Sequence, residues 1–302
     1  MRSRILLLSV MLVVVFGVTG YAADPVASEI TVDGVSRTFL IYTPPGLDKN
    51  ITTPLLFVLH GSAGNGEVMM TVTQRGFERI ADKEKFIVIY PDALERRWNA
   101  QDGTVDDGGF LLAIVDKLAA EFRVNKKRVY MAGISNGGMM AQRMACEHSD
   151  RVAAIATVAG TMPAGMTTVC KPSRPVPVMV IHGTKDPIVP WGGGAVAGFA
   201  EFGQVVSAAE TFRFWATHNL CKGASLVVNE PDRDPQDGTR VRLERLSDCS
   251  NKAEVTLVAV EGGGHTWPGG YQYLPEPFIG KTSKDIDANT LIWNFFKGYA
   301  NP

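Results

Sequence analysis

An α/β fold, with a mostly parallel central sheet and helices on both faces, is the class this sequence predicts. Short apolar runs of strand length alternate along the chain with longer stretches of helical periodicity. Several of the strand runs, such as 55–59 (Leu-Leu-Phe-Val-Leu), are almost wholly apolar, the pattern expected of strands covered on both sides. No internal repeat, low-complexity linker or break in composition marks a second unit, so residues 24–302 read as one domain.

In chain order, residues 37–42 and 55–59 read as strands, 68–82 as a helix and 86–90 as a strand. Residues 109–121 read as a helix, with Phe110, Leu111, Ile114, Val115 and Leu118 along one side. A strand at 129–132 leads into a helix at 137–147, and 152–158, 178–181 and 255–260 are further strands. The Pro-rich stretch 171–177 reads as a connection into the strand at 178. Helices are predicted at 206–218 and 287–296, the last closing the domain. The polar segment 232–239, with Pro235 and Gly238, reads as a surface loop between strands at 225–228 and 240–246.

The N-terminus has the pattern of an export signal. Met1-Arg2-Ser3-Arg4 is basic, 5–19 is apolar and uncharged, and small residues precede Asp24. Residues 1–23 are therefore expected to be a signal peptide cleaved near Ala22 or Ala23, the run being short for a membrane span. An uncleaved anchor is the competing reading. Export places the mature chain outside the cytoplasm, in the periplasm or the medium, with no membrane insertion after cleavage.

Thirty basic and thirty-one acidic residues are mixed along the chain, for a formal charge of -1. Without a basic tract, nothing here suggests a nucleic-acid partner. The four cysteines, Cys146, Cys170, Cys221 and Cys249, are too widely spaced for a zinc or iron-sulfur site and suit an oxidising compartment. Three pairings are open to them. Cys146 with Cys170 and Cys221 with Cys249 are preferred because each closes a local loop, with free buried cysteines as the alternative.

The most informative motif is Gly133-Ile134-Ser135-Asn136-Gly137, between the strand run 128–132 and a helical stretch. Glycines on either side permit a sharp strand-to-helix turn that leaves a serine oxygen exposed at the helix start. A serine nucleophile needs a base, and the base needs a carboxylate to hold its tautomer. Asp186 follows the strand run at 178–181, in His182-Gly183-Thr184-Lys185-Asp186-Pro187, and His265 follows the run at 255–260, in Gly262-Gly263-Gly264-His265. Nucleophile, acid and base thus occur in the order, and at the strand ends, expected of an α/β-hydrolase.

The bland readings compete residue by residue. Asp186 also reads as the cap of an Asp-Pro turn, and His265 as a structural hydrogen-bonding residue. Of the other four histidines, His60 and His182 sit in strand-end His-Gly pairs and read as scaffold, while His148 and His218 lie in helical contexts with no evident acid. For an oxyanion, the backbone N–H of Asn136 is one expected donor, and the N–H of Ser62 in His60-Gly61-Ser62-Ala63-Gly64 the other. That loop lacks the Gly-Lys-Ser/Thr ending of a nucleotide-binding loop.

The chain resembles the secreted polyhydroxybutyrate-depolymerase-like and feruloyl esterases of the α/β-hydrolases. The resemblance runs through Leu59-His60-Gly61, Val88-Ile89-Tyr90-Pro91-Asp92, Val105-Asp106-Asp107-Gly108-Gly109-Phe110, the Gly133–Gly138 turn, His182-Gly183 with Asp186, and Gly263-Gly264-His265 with Trp267-Pro268-Gly269. It implies a Ser135–Asp186–His265 triad, local disulfides, and ester substrates: short hydroxyacid polyesters, or feruloyl and acetyl esters on plant polysaccharide. No metal or organic cofactor is implied. The expected partner is a small or oligomeric ester, and the sequence carries no signature of an oligomeric state.

Trp98, Trp191 and Trp267 fall in loops near strand ends and are proposed to line the substrate pocket, with core packing the rival reading for Trp98. Trp215 and Trp293 read as helical core residues. A serine peptidase and a noncatalytic binding protein on the same scaffold are the functional alternatives.

Overall fold

The computed structural model describes residues 24–48, 50–100, 105–198 and 203–302. The expected signal peptide, residues 1–23, lies outside them. Among the described residues no helix is long and apolar enough to cross a membrane.

The described residues open with strands β1 (Val26–Val32), β2 (Val35–Tyr42) and β3 (Thr53–Leu59), then helices α1 (Gly66–Val72) and α2 (Gly76–Glu84). Next come β4 (Ile87–Pro91), α3 (Asp107–Glu121), β5 (Val124–Ile134), α4 (Asn136–Glu147), β6 (Ala154–Val158), α5 (Met166–Val169) and β7 (Val178–Gly183). A small ribbon of β8 (Gly194–Ala195) and β9 (Gln204–Val205) precedes α6 (Ala208–His218). The chain closes with β10 (Leu226–Asn229), β11 (Arg240–Leu246), β12 (Val255–Glu261), α7 (Glu276–Ile279) and α8 (Ala288–Phe296).

Ten strands form one sheet in the order β1-β2-β4-β3-β5-β6-β7-β12-β11-β10. Its six central strands, β4 to β12 in that order, are parallel, and antiparallel strands extend both edges. The strand period of two divides each apolar run between two cores. Leu55, Phe57 and Leu59 meet Phe110 and Ile114 of α3, Met140 and Met144 of α4, and Trp215 of α6 in one core. Leu56 and Val58 join Phe77 of α2 and Ile292, Trp293 and Phe296 of α8 in the other. This division is the physical content of the continuous apolar pattern.

Two expectations need correcting. The helix predicted over 68–82 is two helices, separated by Gln74 and Arg75 at φ 52° and 53°. Tertiary packing sets the break: Asn289 of α8 donates its amide to the Thr73 carbonyl, and a Cβ on Gly76 would stand 2.3 Å from the Asn289 Nδ2. Strand β1 was not anticipated, although its hairpin turn Asp33-Gly34, with both φ positive, is a legible signal.

The preferred cysteine pairing is the one formed, Cys146–Cys170 and Cys221–Cys249. The first ties the end of α4 to the segment after α5, and the second ties the end of α6 to the loop after β11. Closing loops of this size restricts the unfolded chain by about 3 kcal/mol each.

Candidate active site

The parallel strands deliver four loops to one end of the sheet, and neighbouring strands deliver neighbouring loops. Residues 60–64 follow β3, Ser135 follows β5, Asp186 lies beyond β7 and His265 beyond β12. Ser135 occupies the turn between β5 and α4 at φ 56° and ψ -123°, a conformation rare for a non-glycine residue. Its N–H donates to the Val158 carbonyl and its carbonyl accepts from the Met139 N–H, which lock the turn from both sides.

The flanking glycines are required by contact. A Cβ on Gly133 would lie 2.4 Å from the Gly137 carbonyl, and one on Gly137 would lie 2.4 Å from the Leu59 oxygen. Strand, turn and helix are therefore packed backbone to backbone. The loops that carry Asp186 and His265 are packed as closely: a Cβ on Gly183 would meet the carbonyl oxygens of Gly263 and Gly264 at 2.4 Å.

His265 Nδ1 lies 2.8 Å from Asp186 Oδ2, with both side chains buried. The other carboxylate oxygen, Oδ1, accepts from the N–H groups of Ile188 and Val189, each at 2.8 Å. The Tyr273 hydroxyl donates to the His265 carbonyl at 2.7 Å and steadies the loop. Burial, together with the nearby Asp186, pushes the Tyr273 phenol up, so it stays a donor through the neutral range.

The expected scaffold histidines behave as such. His60 Nδ1 donates to the Gly61 carbonyl, its Nε2 accepts from the Ala93 N–H, and burial pushes its pKa down, which keeps it neutral. His182 is fully buried behind Asp186, with Nε2 donating to the Val189 carbonyl at 2.9 Å. Burial lowers its pKa as well, so it adds no cation that would compete with His265 for the carboxylate.

Two cavities open beside Ser135. The larger, about 380 Å³, is lined by Ser135 and His265 together with Val68, Met69, Tyr273 and Leu274. The smaller, about 200 Å³, is lined by Ser135, Asn136, Met139, Val196, Ala197 and Arg97. Ser62 and Ile188 border both. A Cβ on Gly61 would approach the Ser135 Cβ to 3.3 Å, so the 60–64 loop lies directly over the serine. Neither the Ser62 N–H nor the Asn136 N–H bonds to a carbonyl among the described residues. A cavity of about 570 Å³ at the opposite end of the sheet, lined by residues such as Thr53 and Val124, holds none of these groups.

The predicted tryptophan pocket is not what forms. Trp98 is 1% exposed, with its Nε1 donating to the His60 carbonyl, and Trp267 is 0% exposed, with its Nε1 donating to Asn289 Oδ1. Both indoles have turned inward, because burying so large an apolar area outweighs leaving it at a pocket wall. Trp191 is half-buried near His182 and lines neither cavity. Trp215 and Trp293 are core residues as expected. The pocket walls come instead from Val68, Met69, Tyr273 and Leu274, which lie in segments with no motif to single them out.

Trp267 thus has a structural role that can be measured. Trp267→Ala is expected to lower unfolding stability by about 3–5 kcal/mol, read as a lower urea midpoint at unchanged slope. A loss below 1 kcal/mol would contradict the packing role.

With six parallel strands and this loop arrangement, the molecule is an α/β-hydrolase. A solved acetyl xylan esterase from Aspergillus awamori shares the fold with a TM-score of 0.57 at 15% identity, over 80% of this chain and 94% of that one. The chain belongs to the Esterase PHB depolymerase family, whose model matches residues 37–222, a range that includes Ser135 and Asp186. It is 32% identical over 292 residues to NocK of Nocardia uniformis subsp. tsuyamanensis, whose name assigns it provisionally to the esterases, covering 91% of this chain and 83% of NocK. It is 27% identical to feruloyl esterase B of Piromyces equi over 76% of this chain, and spans 42% of that protein's length.

Proposed function

We propose that this protein is an exported serine esterase that works through an acyl-enzyme on small or oligomeric esters. Feruloyl or other esters carried by polysaccharide, and short hydroxyacid polyesters, are the substrate classes. The observation that carries the reading is the buried 2.8 Å contact of His265 with Asp186, on the same cavity wall as Ser135.

In this mechanism His265 Nε2 takes the Ser135 proton as the serine oxygen attacks the ester carbonyl carbon. The N–H groups of Asn136 and Ser62 receive the oxyanion. As the intermediate collapses, the carbon–oxygen bond to the alcohol breaks and His265 returns the proton to the departing oxygen. Water then attacks the acyl-enzyme with His265 again as base, releasing the acid and restoring the Ser135 hydroxyl. Asp186 holds Nδ1–H and stabilises the imidazolium in both half-reactions.

Export through residues 1–23 is supported by the basic and apolar pattern there and by the two disulfides, which suit an oxidising compartment. The name of the Piromyces relative favours feruloyl esters. The apolar cavity beside His265 suits an ester linkage, which carries no N–H donor, more than a peptide backbone, whose amide groups need hydrogen-bonding partners.

The test is a panel of acetyl, butyryl and feruloyl esters, hydroxybutyrate oligomers and a peptide amide, given to the mature oxidised protein. Turnover of esters well above the amide is the expected result. Faster amide cleavage would replace the reading with a peptidase, and binding without turnover would replace it with a noncatalytic protein.

A further inference from the structure

Among the described residues, Arg97 is the only Asp, Glu, Lys or Arg lining either cavity beside Ser135. Its neighbour Arg96 is committed to the scaffold, with Nε donating to the Gly64 carbonyl at 3.1 Å. The Arg97 guanidinium, by contrast, makes no hydrogen bond or ion pair with the described residues, and the side chain is exposed at the smaller cavity.

The backbone that carries Arg97 is nevertheless held firmly. Trp98 N–H donates to Asn136 Oδ1 at 2.7 Å, and Asn136 Nδ2 donates back to the Trp98 carbonyl at 3.0 Å. Trp98 Nε1 donates to the His60 carbonyl at 2.9 Å, and the Arg97 N–H bonds the Leu94 carbonyl at 3.0 Å. The residue after the nucleophile therefore clamps the residue after Arg97. A cation with no partner among the described residues is thus presented beside the serine on a fixed backbone.

Which part of an ester meets it follows from the proton that His265 must deliver. The departing alcohol oxygen has to lie against His265, which lines the larger cavity and not the smaller one. The alcohol is then directed to the larger cavity and the acyl chain to the smaller, past the aliphatic wall of Met139, Val196 and Ala197 toward Arg97.

We propose that the smaller cavity is an acyl subsite in which Arg97 selects acyl groups ending in a carboxylate, as in hemiesters of dicarboxylic acids. The proposal rests on the serine-esterase reading above and adds the acyl class to it. A guanidinium offers a forked donor that matches a carboxylate, and an aliphatic wall suits the methylenes leading to it.

The experiment compares esters of one alcohol with succinate and with 4-methylpentanoate, in which a branched methyl pair replaces the carboxylate oxygens. A third ester joins 4-methylpentanoate to an alcohol that bears a carboxylate. Wild-type protein, R97Q and R97K are assayed, and rates are normalised to the fraction of serine labelled by a fluorophosphonate. Only the ratio between esters within one variant is read, which cancels any general loss of folded enzyme.

The expected result is a succinyl to 4-methylpentanoyl ratio of kcat/KM that falls about tenfold in R97Q and less in R97K. The ratio for the carboxylate on the alcohol side should change less than twofold. An unchanged succinyl ratio in R97Q overturns the proposal, as does a larger change in the alcohol-side series. If wild-type protein neither takes the label nor turns over any of the three esters, the serine-esterase reading itself fails, a result separable from both of these.

Discussion

Ser135→Ala is expected to lower kcat by about 10⁶-fold on any ester the protein hydrolyses, with the fold intact. The size follows from how the site divides its work. Without the hydroxyl no acyl-enzyme forms, and the remaining rate comes from the oxyanion donors acting on water, which contribute only about 10³–10⁴ over the uncatalysed reaction. The variant also removes a hydroxyl from a residue held at a positive φ of 56°, a strain alanine bears equally, so stability should change little. Single-turnover rates with a reactive ester, alongside intact-mass analysis after fluorophosphonate treatment, make the measurement. Retention of more than about a hundredth of the activity would remove Ser135 from the chemistry.

Asp186→Asn should cost about 10⁴-fold in kcat, and the hydrogen bonds state why. Oδ1 accepts from two backbone N–H groups, those of Ile188 and Val189, so an asparagine must place its oxygen there and turn its NH₂ toward His265. His265 Nδ1 would then have to accept rather than donate, which moves the ring proton to Nε2. The base would face the serine with a proton instead of a lone pair. Fluorophosphonate labelling should slow in parallel with ester turnover, while the unfolding midpoint shifts by no more than an ordinary buried polar substitution. A loss under tenfold would mean that the carboxylate is not what orients the imidazole.

Much of this site is legible in one dimension because its parts are short and local. The strand-to-helix turn needs small residues at fixed offsets, so Gly133 and Gly137 mark it directly. Asp186 and His265 each follow an apolar strand by a few residues, and parallel strands bring such positions to one sheet end whatever their separation along the chain. The disulfide pairing was accessible for a related reason, since each pair closes a loop of fewer than thirty residues.

The pocket wall was not legible. Trp267 stands two residues from His265, yet its indole packs edge-on against Phe77, while Val68 and Leu274, ordinary apolar residues outside any motif, face the cavity. Sequence proximity to a functional residue carries no information about which way a large side chain turns when burial on one side and solvent on the other compete.

The sequence by itself determined the α/β class, the order of Ser135, Asp186 and His265 after their strands, and the glycine-lined turn, because each depends on local periodicity or on backbone sterics over a few residues. Only the tertiary structure decided the break before Gly76, the inward turn of Trp98 and Trp267, and the presentation of Arg97 beside Ser135. Each of those depends on a contact between elements distant in the chain, Asn289 with Thr73, Asn289 with Trp267, and Asn136 with Trp98, whose free energy exists only once the sheet has brought them together.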